Sequence, residues 1–318
     1  MVSFYIVEDK KLKIIKELSY FDSNKEAKES VIWIDMLHPT IAEKHSVENL
    51  FNLVFPTKEE SEEIEISSRY WEEGHKIEIN SYFLVLGEMA RNETVSFVLQ
   101  QNRLISIRYA ELKTFDEMTK KFLASPKGIV DGYDVFSNIL DIRIDADADV
   151  IEKLSRDAAQ LRKLVFTDYK NDDEEILEKI SAFEDLNMKI RENLTDKQRI
   201  LSAFIKSKKL KDNLRENILV MLKDIRSLID YTEFNFERLD YLQNAFIGML
   251  SVEQNKVIKI FTVVNVIFLP PTLIASIYGM NFDIMPELHW DYGYVFSFLL
   301  MIASATLPLY IFKRKGWF

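Results

Sequence analysis

A group of polar residues near the carboxyl end of the sequence recurs at spacings that place every member on one face of a helix. Steps of 7, 3, 7, 4 and 3 residues separate Asn255, Thr262, Asn265, Thr272, Ser276 and Gly279. With about 3.6 residues per turn, these positions fall within about one third of the helix circumference. Ile258 and Leu269 fill gaps on the same face, and we call these eight positions the stripe. Such a stripe either holds packed membrane helices together or lines a path for a hydrated hard cation such as Mg²⁺.

The stripe lies in the first of two long runs without charged residues. Residues 260–282 and residues 292–312 form runs of 23 and 21 uncharged residues. Each run predicts a helix of roughly 30–35 Å, which is enough to cross a bilayer core of about 30 Å. Two spans cannot enclose a channel. A stripe that lines a pore therefore requires a symmetric oligomer, with the same helix from each copy around the axis.

In such an oligomer each stripe position becomes a ring. Amide rings form at Asn255 and Asn265, and hydroxyl rings form at Thr262 and Thr272. The apolar rings at positions 258 and 269 can gate the pore by excluding water. Because no carboxylate lies in the stripe, the pore cannot remove the water shell of a strongly hydrated divalent cation. We expect the ion to pass with much of its water retained.

Charge predicts the topology of the two spans. Lys256 and Lys259 precede the first span, and a basic tail, residues 313–318, follows the second. The segment between the spans has no Lys or Arg and carries three acidic residues: Asp283, Glu287 and Asp291. The positive-inside rule places both termini in the cytoplasm and this acidic loop outside. We expect spans at about 258–279 and 292–312, with an outer loop at 280–291.

Residues 1–130 predict a cytosolic α/β domain with helices on the faces of a sheet. Strands are predicted at 4–7, 12–15, 31–35, 76–80, 82–86, 94–99 and 104–109, where β-branched and aromatic residues cluster. Thr40 and Glu43 form a capping-box pattern at a helix start. Residues 56–60 offer a second helix start. The first two strands predict a hairpin.

Residues 131–255 predict a helical region that ends in a stalk. From residue 133 to residue 247 there is no glycine or proline in 115 consecutive residues. Breaks are expected near 167–173 and 207–213. Apolar residues at three- and four-residue steps predict a packing seam in the last helix, from Leu214 to Met249. That helix, at about 212–278, would be roughly 100 Å long and would run into a membrane domain at 256–318.

Composition excludes several classes of function. The formal net charge of −10 argues against a general nucleic-acid binder, because phosphate neutralisation needs a basic surface. The absence of cysteine excludes disulfides, thiolate metal sites and a cysteine nucleophile. The eight glycines form neither a phosphate-binding loop nor a dinucleotide fingerprint, so we expect no ATP. No catalytic triad or zinc-hydrolase motif is present, and we expect no enzyme.

Two short motifs at the end of the first run resemble a known family. Tyr278-Gly279-Met280-Asn281 is followed by Met285-Pro286-Glu287-Leu288. These segments resemble the CorA family of magnesium and cobalt channels, whose signature is a Gly-Met-Asn motif and a Met-Pro-Glu-Leu loop between two C-terminal spans. The resemblance extends upstream through Asn255 and residues 268–270, and it covers the layout of the whole chain.

The resemblance implies a homopentamer in the cell membrane that takes up Mg²⁺, with Co²⁺ and Ni²⁺ as further substrates. The first span would line the pore. Gly279, Met280 and Asn281 would form the outer selectivity filter, which meets the hydration shell of the ion. Asn255 would form a polar ring near the cytoplasmic end, and Ile258 and Leu269 would form the hydrophobic constrictions.

Three positions depart from the family pattern. Asn244 matches a position that often carries an acid at the inner mouth. Asn265 places an amide where a small or aliphatic residue is common, and we expect it to ease ion passage. Pro271 follows Pro270 where the family usually has leucine, and a second proline favours a kink.

The resemblance also implies closure by cytosolic Mg²⁺ bound between subunits. We hypothesise that interfacial carboxylates bind this ion, so that repulsion between them is neutralised and the pore is held shut. The candidates are Glu88, Asp224, Asp172, Asp173, Glu174 and Glu175. The last four also fit the negatively charged first turn of a helix.

Three other functions compete with a magnesium channel. The first is a zinc transporter on the same scaffold. Met280 argues against it, as do four histidines without metal-ligand spacing. The second is a sensor whose spans only tether a ligand-binding domain to the lipid bilayer. The third is an enzyme.

Overall fold

A computed structural model describes residues 1–8, 11–57, 59–60, 69–87, 89–167, 173–281, 283 and 285–316. The chain divides into two compact units, Met1–Gln243 and Asn244–Phe318. The first unit holds a sheet and most of the helices. The second unit holds the apolar part of the chain.

A seven-stranded sheet forms the centre of the first unit. The strands are β1 Val2–Glu8, β2 Lys11–Ile15, β3 Val31–Leu37, β4 Tyr70–Glu73, β5 Lys76–Val85, β6 Arg91–Gln100 and β7 Arg103–Arg108. Their order across the sheet is β2-β1-β3-β7-β6-β5-β4. β3 and β7 are parallel, with Trp33 opposite Leu104, and the other five neighbouring pairs are antiparallel.

The predicted hairpin at the amino terminus is confirmed, because β1 pairs with β2 in antiparallel register. One prediction about the later strands is wrong, and one strand was missed. The predicted strands 76–80 and 82–86 are one strand, β5, in which Asn80 and Ser81 are buried and paired with β6. The short strand β4 was not predicted, since it has no alternation of apolar and polar residues.

In the described part of the chain the α-helices are α1 Tyr20–Ser23, α2 Ile41–Phe51, α3 Lys113–Ala124, α4 Gly132–Thr167, α5 Asp173–Phe204, α6 Asp212–Tyr278 and α7 Gly293–Arg314. The sequence did not locate α1 or α3. The break predicted near 207–213 is confirmed, because α5 ends at Phe204 and α6 begins at Asp212. The break predicted near 167–173 falls mostly on residues outside the described part of the chain. α6 is a single helix of 67 residues over the predicted range, and it continues through Pro270 and Pro271.

Hydrogen bonds at the helix starts follow the capping-box pattern. The Thr40 hydroxyl accepts from the Glu43 N–H at 3.2 Å, and the Glu43 carboxylate accepts from the Thr40 N–H at 2.8 Å. Thr57 and Glu60 make the same two bonds at 3.2 and 2.8 Å. Most of the helix predicted to follow Thr57 lies outside the described residues.

Both faces of the sheet are covered by apolar residues. Successive strand residues point to opposite faces, so Trp33, Phe97 and Leu104 join one core cluster. Their neighbours Ile34, Val98 and Ile105 join the other. Phe115 of α3, Phe136 of α4 and Phe204 of α5 pack on the first face. The helical region is therefore anchored on the sheet.

Gly132 permits α4 to begin directly against β7. A Cβ at this position would collide with the backbone of Arg103 and Leu104. The Gly132 N–H also donates to the Asn102 carbonyl at 2.6 Å. Only glycine fits this close approach of the two backbones.

A buried network of charges joins α4 and α5 to the sheet. Lys197 of α5 and Asp147 of α4 are both 0 % exposed, with Lys197 Nζ 3.6 Å from Asp147 Oδ2. Lys197 Nζ also donates to the Tyr82 carbonyl of β5 at 2.6 Å. Arg143 pairs with Asp147 and donates to the Leu84 carbonyl at 3.3 Å.

Asp196 occupies the next position in the same network. Its Oδ2 accepts from the Tyr82 N–H at 2.9 Å, and its Oδ1 lies 3.6 Å from Arg69 Nε. Burial raises the pKa of Asp196. The network therefore contains two carboxylates and three cationic groups, and it fixes which face of α4 points away from the sheet.

Candidate functional site

The predicted spans lie in α6, which begins in the first unit and ends in the second, and in α7. α6 and α7 are the helices, in the described part of the chain, that are long and apolar enough to cross a membrane. In the most apolar stretch of each helix, 0 % of the residues of α6 and 6 % of those of α7 are buried. These apolar residues do not form the core of a single chain. The span bounds at about 258–279 and 292–312 stay predictions.

Every member of the stripe is exposed in the single chain. Ile258 and Leu269 are 53 % and 64 % exposed, and the polar members are also exposed: Asn255, Thr262, Asn265, Thr272, Ser276 and Gly279. Asn265, Leu269, Thr272 and Ser276 line a shallow groove of about 380 Å³ together with Phe268 and Leu273. The stripe is therefore available to other copies of the chain or to water.

The two threonine hydroxyls of the stripe present oxygen rather than hydrogen. Thr262 Oγ1 donates its hydrogen to the Ile258 carbonyl at 2.8 Å, and Thr272 Oγ1 donates to the Phe268 carbonyl at 2.7 Å. The lone pairs of both oxygens stay free to accept hydrogen bonds. Acceptor oxygens are the groups that meet the water protons of a hydrated cation.

The helix that carries the stripe ends at the Gly-Met-Asn motif. The Gly279 N–H donates to the Ala275 carbonyl at 2.9 Å, and the Met280 N–H donates to the Ile277 carbonyl at 3.2 Å. A Cβ at Gly279 would lie 3.2 Å from the Ala275 oxygen. Asn281 follows in exposed, non-helical backbone. The motif is therefore the terminus of the stripe.

The loop after the motif carries the three predicted acidic residues. Asp283 and Asp291 are exposed, and the backbone of Glu287 lies in a short 3₁₀ helix, Pro286–His289. The side chain of Glu287 lies outside the described residues. Trp290 packs against Tyr292 and Phe296, with ring centroids 6.4 and 5.6 Å apart. Lys313 and Arg314 occupy the last turn of α7.

The predicted regulatory residues lie apart from one another. Asp173, Glu174 and Glu175 form the first turn of α5, as one of the two interpretations predicts, and Glu175 pairs with Lys179 at 2.5 Å. Asp224 is exposed on α6. Glu88 and Asp172 lie outside the described residues. Asn244, predicted at the inner mouth, is exposed on α6.

A row of aspartates on α4 was missed by the sequence analysis. Asp141, Asp145 and Asp149 recur every four residues, on the face opposite the buried Arg143 and Asp147. Partial burial and the charges of Asp141, Asp149 and Asp224 raise the pKa of Asp145, although Lys121 opposes this. The four-residue spacing was the available signal. We call Asp141, Asp145, Asp149 and Asp224 the aspartate cluster.

Within the described residues of one chain, no group of three or more His, Asp or Glu side chains is placed to hold a metal ion. The aspartate cluster thus offers carboxylates without a closed site. A second copy or a bound ion would have to complete it.

Comparisons with known proteins agree with this layout. A family model described as "CorA-like Mg2+ transporter protein" matches residues 28–314. The magnesium transport protein CorA of Wolinella succinogenes is 48 % identical over 294 residues, which cover 91 % of each chain. The Escherichia coli K12 protein of the same name is 35 % identical over 293 residues, covering 91 % of this chain and 92 % of its own.

The fold matches a solved structure over its whole length. The CorA magnesium transporter from Methanocaldococcus jannaschii superposes with a TM-score of 0.81, covering 100 % of this chain and 99 % of that chain at 20 % identity. The predicted architecture, an α/β domain, a long helix and a C-terminal apolar helix, is confirmed.

Proposed function

Because this chain belongs to the family of CorA-like Mg²⁺ transporter proteins, a family of transporters rather than enzymes, we propose that it carries Mg²⁺ through a pore lined by the stripe. The observation that carries the proposal is the exposed, one-sided stripe that ends at the Gly-Met-Asn motif. Polar side chains on a membrane-spanning helix are costly when they face lipid, so this face should be covered by protein or water.

The pore is a homopentamer with α6 of each copy around the axis. Acceptor oxygens of Thr262 and Thr272, each freed by a hydrogen bond back into the helix, face the ion path. Asn255 adds an amide ring toward the cytoplasm. Ile258 and Leu269 form apolar rings that interrupt the water column when the pore closes. Mg²⁺ dehydrates reluctantly, so oxygen rings that accept from its waters suit it.

The outer mouth contains the selectivity filter. The Gly279 carbonyl and the Asn281 amide bind the hydration shell of the ion, and Met280 keeps them at the helix end. Asp283, Glu287 and Asp291 raise the cation concentration at the mouth. Both termini lie in the cytoplasm, and the protein resides in the cell membrane. Co²⁺ and Ni²⁺ follow the same path as Mg²⁺.

The membrane potential alone drives uptake. A divalent ion that moves inward across about 100 mV gains roughly 4.6 kcal/mol, at about 2.3 kcal/mol per charge. That free energy supports a concentration ratio of more than about a thousandfold. A passive channel of this kind needs a closing signal.

Cytosolic Mg²⁺ supplies the closing signal by binding to carboxylates of the first unit. Partial burial raises the pKa of Asp145, and the neighbouring charges of Asp141, Asp149 and Asp224 add to this effect. A divalent cation shared between copies would neutralise this charge and stabilise the closed assembly. Asp224 belongs to this cluster, whereas Glu88 and Asp172–Glu175 provide further carboxylates for attraction.

The decisive experiment is Mg²⁺ uptake by the full-length protein in liposomes with an imposed potential, negative inside. We expect Asn281→Ala to lower the initial rate at least about a hundredfold, because it removes an amide ring of the filter. Asn213→Ala, at an exposed position in the first turn of α6, is the matched control and should transport as wild type.

Two outcomes of this assay would favour the other functions. If Asn281→Ala transports Mg²⁺ at the wild-type rate, the spans are a tether and the sensor function gains support. If wild type takes up Zn²⁺ much faster than Mg²⁺ under the same potential, the protein is a zinc transporter on this scaffold.

A further inference from the structure

Asn265 differs from most polar residues of the two apolar helices in its hydrogen bonding. Thr262 and Thr272 each donate to the carbonyl oxygen four residues earlier, at 2.8 and 2.7 Å. In α7, three hydroxyls also donate to carbonyl oxygens of their own helix, three residues earlier for Ser297 and Ser304 and four residues earlier for Thr306. The side chains of Asn265 and Ser276 make no hydrogen bond with any described residue of the chain.

Of these two residues, Asn265 lies deeper in the charge-free run. It is six residues from Lys259 and 13 residues from Tyr278, or about 9 Å and about 20 Å along the helix. Its amide carries two N–H donors and a carbonyl acceptor. Hydrocarbon satisfies none of these groups. The partners of this amide must therefore lie outside the single chain.

The position of Asn265 relative to Leu269 indicates which partners it has. Leu269 follows four residues, or about 6 Å, toward the outer end, and Thr272 follows about 4.5 Å beyond Leu269. All three line the same groove of about 380 Å³. An apolar ring is thus bounded by an amide ring on its inner side and by a hydroxyl ring on its outer side.

We infer that the Asn265 side chains of the assembled pore form a binding station for a hydrated divalent cation on the inner side of the Leu269 ring. This inference rests on the proposed pore. The amide oxygens accept hydrogen bonds from the water shell of the ion, and the amide N–H groups bond to the neighbouring copies. An ion that has crossed the Leu269 ring then meets the hydrogen-bond acceptors of Asn265 directly. The apolar segment of the pore, which lacks such acceptors, is therefore short.

Two substitutions of similar size test whether the oxygen matters. Asn265→Ser keeps an oxygen, which can bond back to the helix as the Thr262 hydroxyl does and still present lone pairs. Asn265→Ala has nearly the same volume and no polar atom. We expect the maximum Mg²⁺ uptake rate in liposomes to fall about tenfold in Asn265→Ala and less than about threefold in Asn265→Ser.

The concentration of Mg²⁺ at half-maximal uptake should change little in either variant, because the outer filter is intact. Rates are normalised to the oligomer measured by light scattering, so that a loss of assembly is not read as a loss of conduction. Equal maximum rates for Asn265→Ala and Asn265→Ser would overturn the inference, since the side chain would then only occupy space.

The absence of cysteine from the sequence permits a second, independent measurement. Asn265→Cys places a thiol on the stripe, and Val264→Cys places one about 100° away on the same turn. A cationic methanethiosulfonate reagent added from the cytoplasmic side, without Mg²⁺, should modify the first thiol and not the second. Added Mg²⁺ should slow the modification. An unreactive thiol in Asn265→Cys would contradict a water-accessible binding station at this position.

The Asn281→Ala variant separates this inference from the proposed function. If Asn281→Ala loses uptake while Asn265→Ala and Asn265→Ser conduct equally, the proposed pore is supported and the binding station at Asn265 is refuted. If Asn281→Ala conducts as wild type, the proposed pore itself fails.

Discussion

Replacing the buried Lys197 with methionine should change how the stability of the protein depends on pH. Burial lowers the pKa of Lys197 to about 8 from 10.5, although Asp147 opposes this effect. The two carboxylates and three cations of the network carry one excess positive charge while Lys197 is protonated. Loss of that proton balances the charge, which is consistent with the direction of the shift.

The sign and size of the effect follow from linkage. Between pH 8 and pH 10.5 the unfolded chain holds a proton that the folded protein has released. The contribution of Lys197 to the free energy of unfolding therefore rises with pH in this window, by about 2 kcal/mol between about pH 8 and about pH 10. Burial raises the pKa of Tyr5, Tyr70 and Tyr133, the last to about 12, and their opposite contribution grows from about pH 9, as the unfolded chain begins to lose its tyrosine protons. This opposite contribution is common to wild type and Lys197→Met, so it cancels in the difference between them.

The assay is urea unfolding of the full-length protein in detergent at several values between pH 8 and pH 10, followed by tryptophan fluorescence. Lys197→Met lacks the titrating group, so its free energy of unfolding should gain about 2 kcal/mol less than that of wild type across this range. Lys153→Met, at an exposed position on α4, is the control and should follow wild type. Parallel curves for wild type and Lys197→Met would refute the linkage argument.

Three further predictions concern the pore and its supports. Asp145→Asn should raise the internal Mg²⁺ concentration that halves uptake by about threefold or more, because it removes one charge of the aspartate cluster. An unchanged concentration would exclude Asp145 from regulation. Gly279→Ala should lower uptake about tenfold, measured in the same liposomes, because its Cβ would press on the Ala275 oxygen at 3.2 Å. Full activity of Gly279→Ala would show that the selectivity filter tolerates the displacement caused by the added Cβ. Thr40→Ala should lower the free energy of unfolding by about 1 kcal/mol, measured in urea, through loss of the α2 cap. An equal stability would mean that Glu43 alone caps the helix.

The sequence was sufficient for features that neighbouring residues decide. The range of α6 was predicted because no stop signal apart from the isolated Gly248 separates the packing seam from the first charge-free run, and the apolar parts of α6 and α7 were predicted from runs without charge. The Thr40 cap was predicted from a three-residue spacing. The stripe belongs to the same class, because helix periodicity alone places its members on one face.

Features that depend on distant contacts were not predictable in the same way. Ser81 looks like a break between two strands, yet its hydroxyl donates to Asp196, 115 residues away, at 3.2 Å. That contact makes a buried polar residue acceptable in the middle of β5. The proximity of Asp145 and Asp224 depends equally on the packing of α4 and α6. Sequence spacing could not join these two carboxylates.

The two outermost strands of the sheet have a consequence for how copies of the protein meet. β4 has only four residues and ends in Glu72 and Glu73, and β2 carries exposed Lys11 and Lys13. Short or charged edges resist pairing with a strand from another molecule. The sheet is therefore protected against pairing with a strand of another chain. In the proposed homopentamer, the copies then associate through surfaces other than these two edges, which guards the assembly against aggregation by strand pairing.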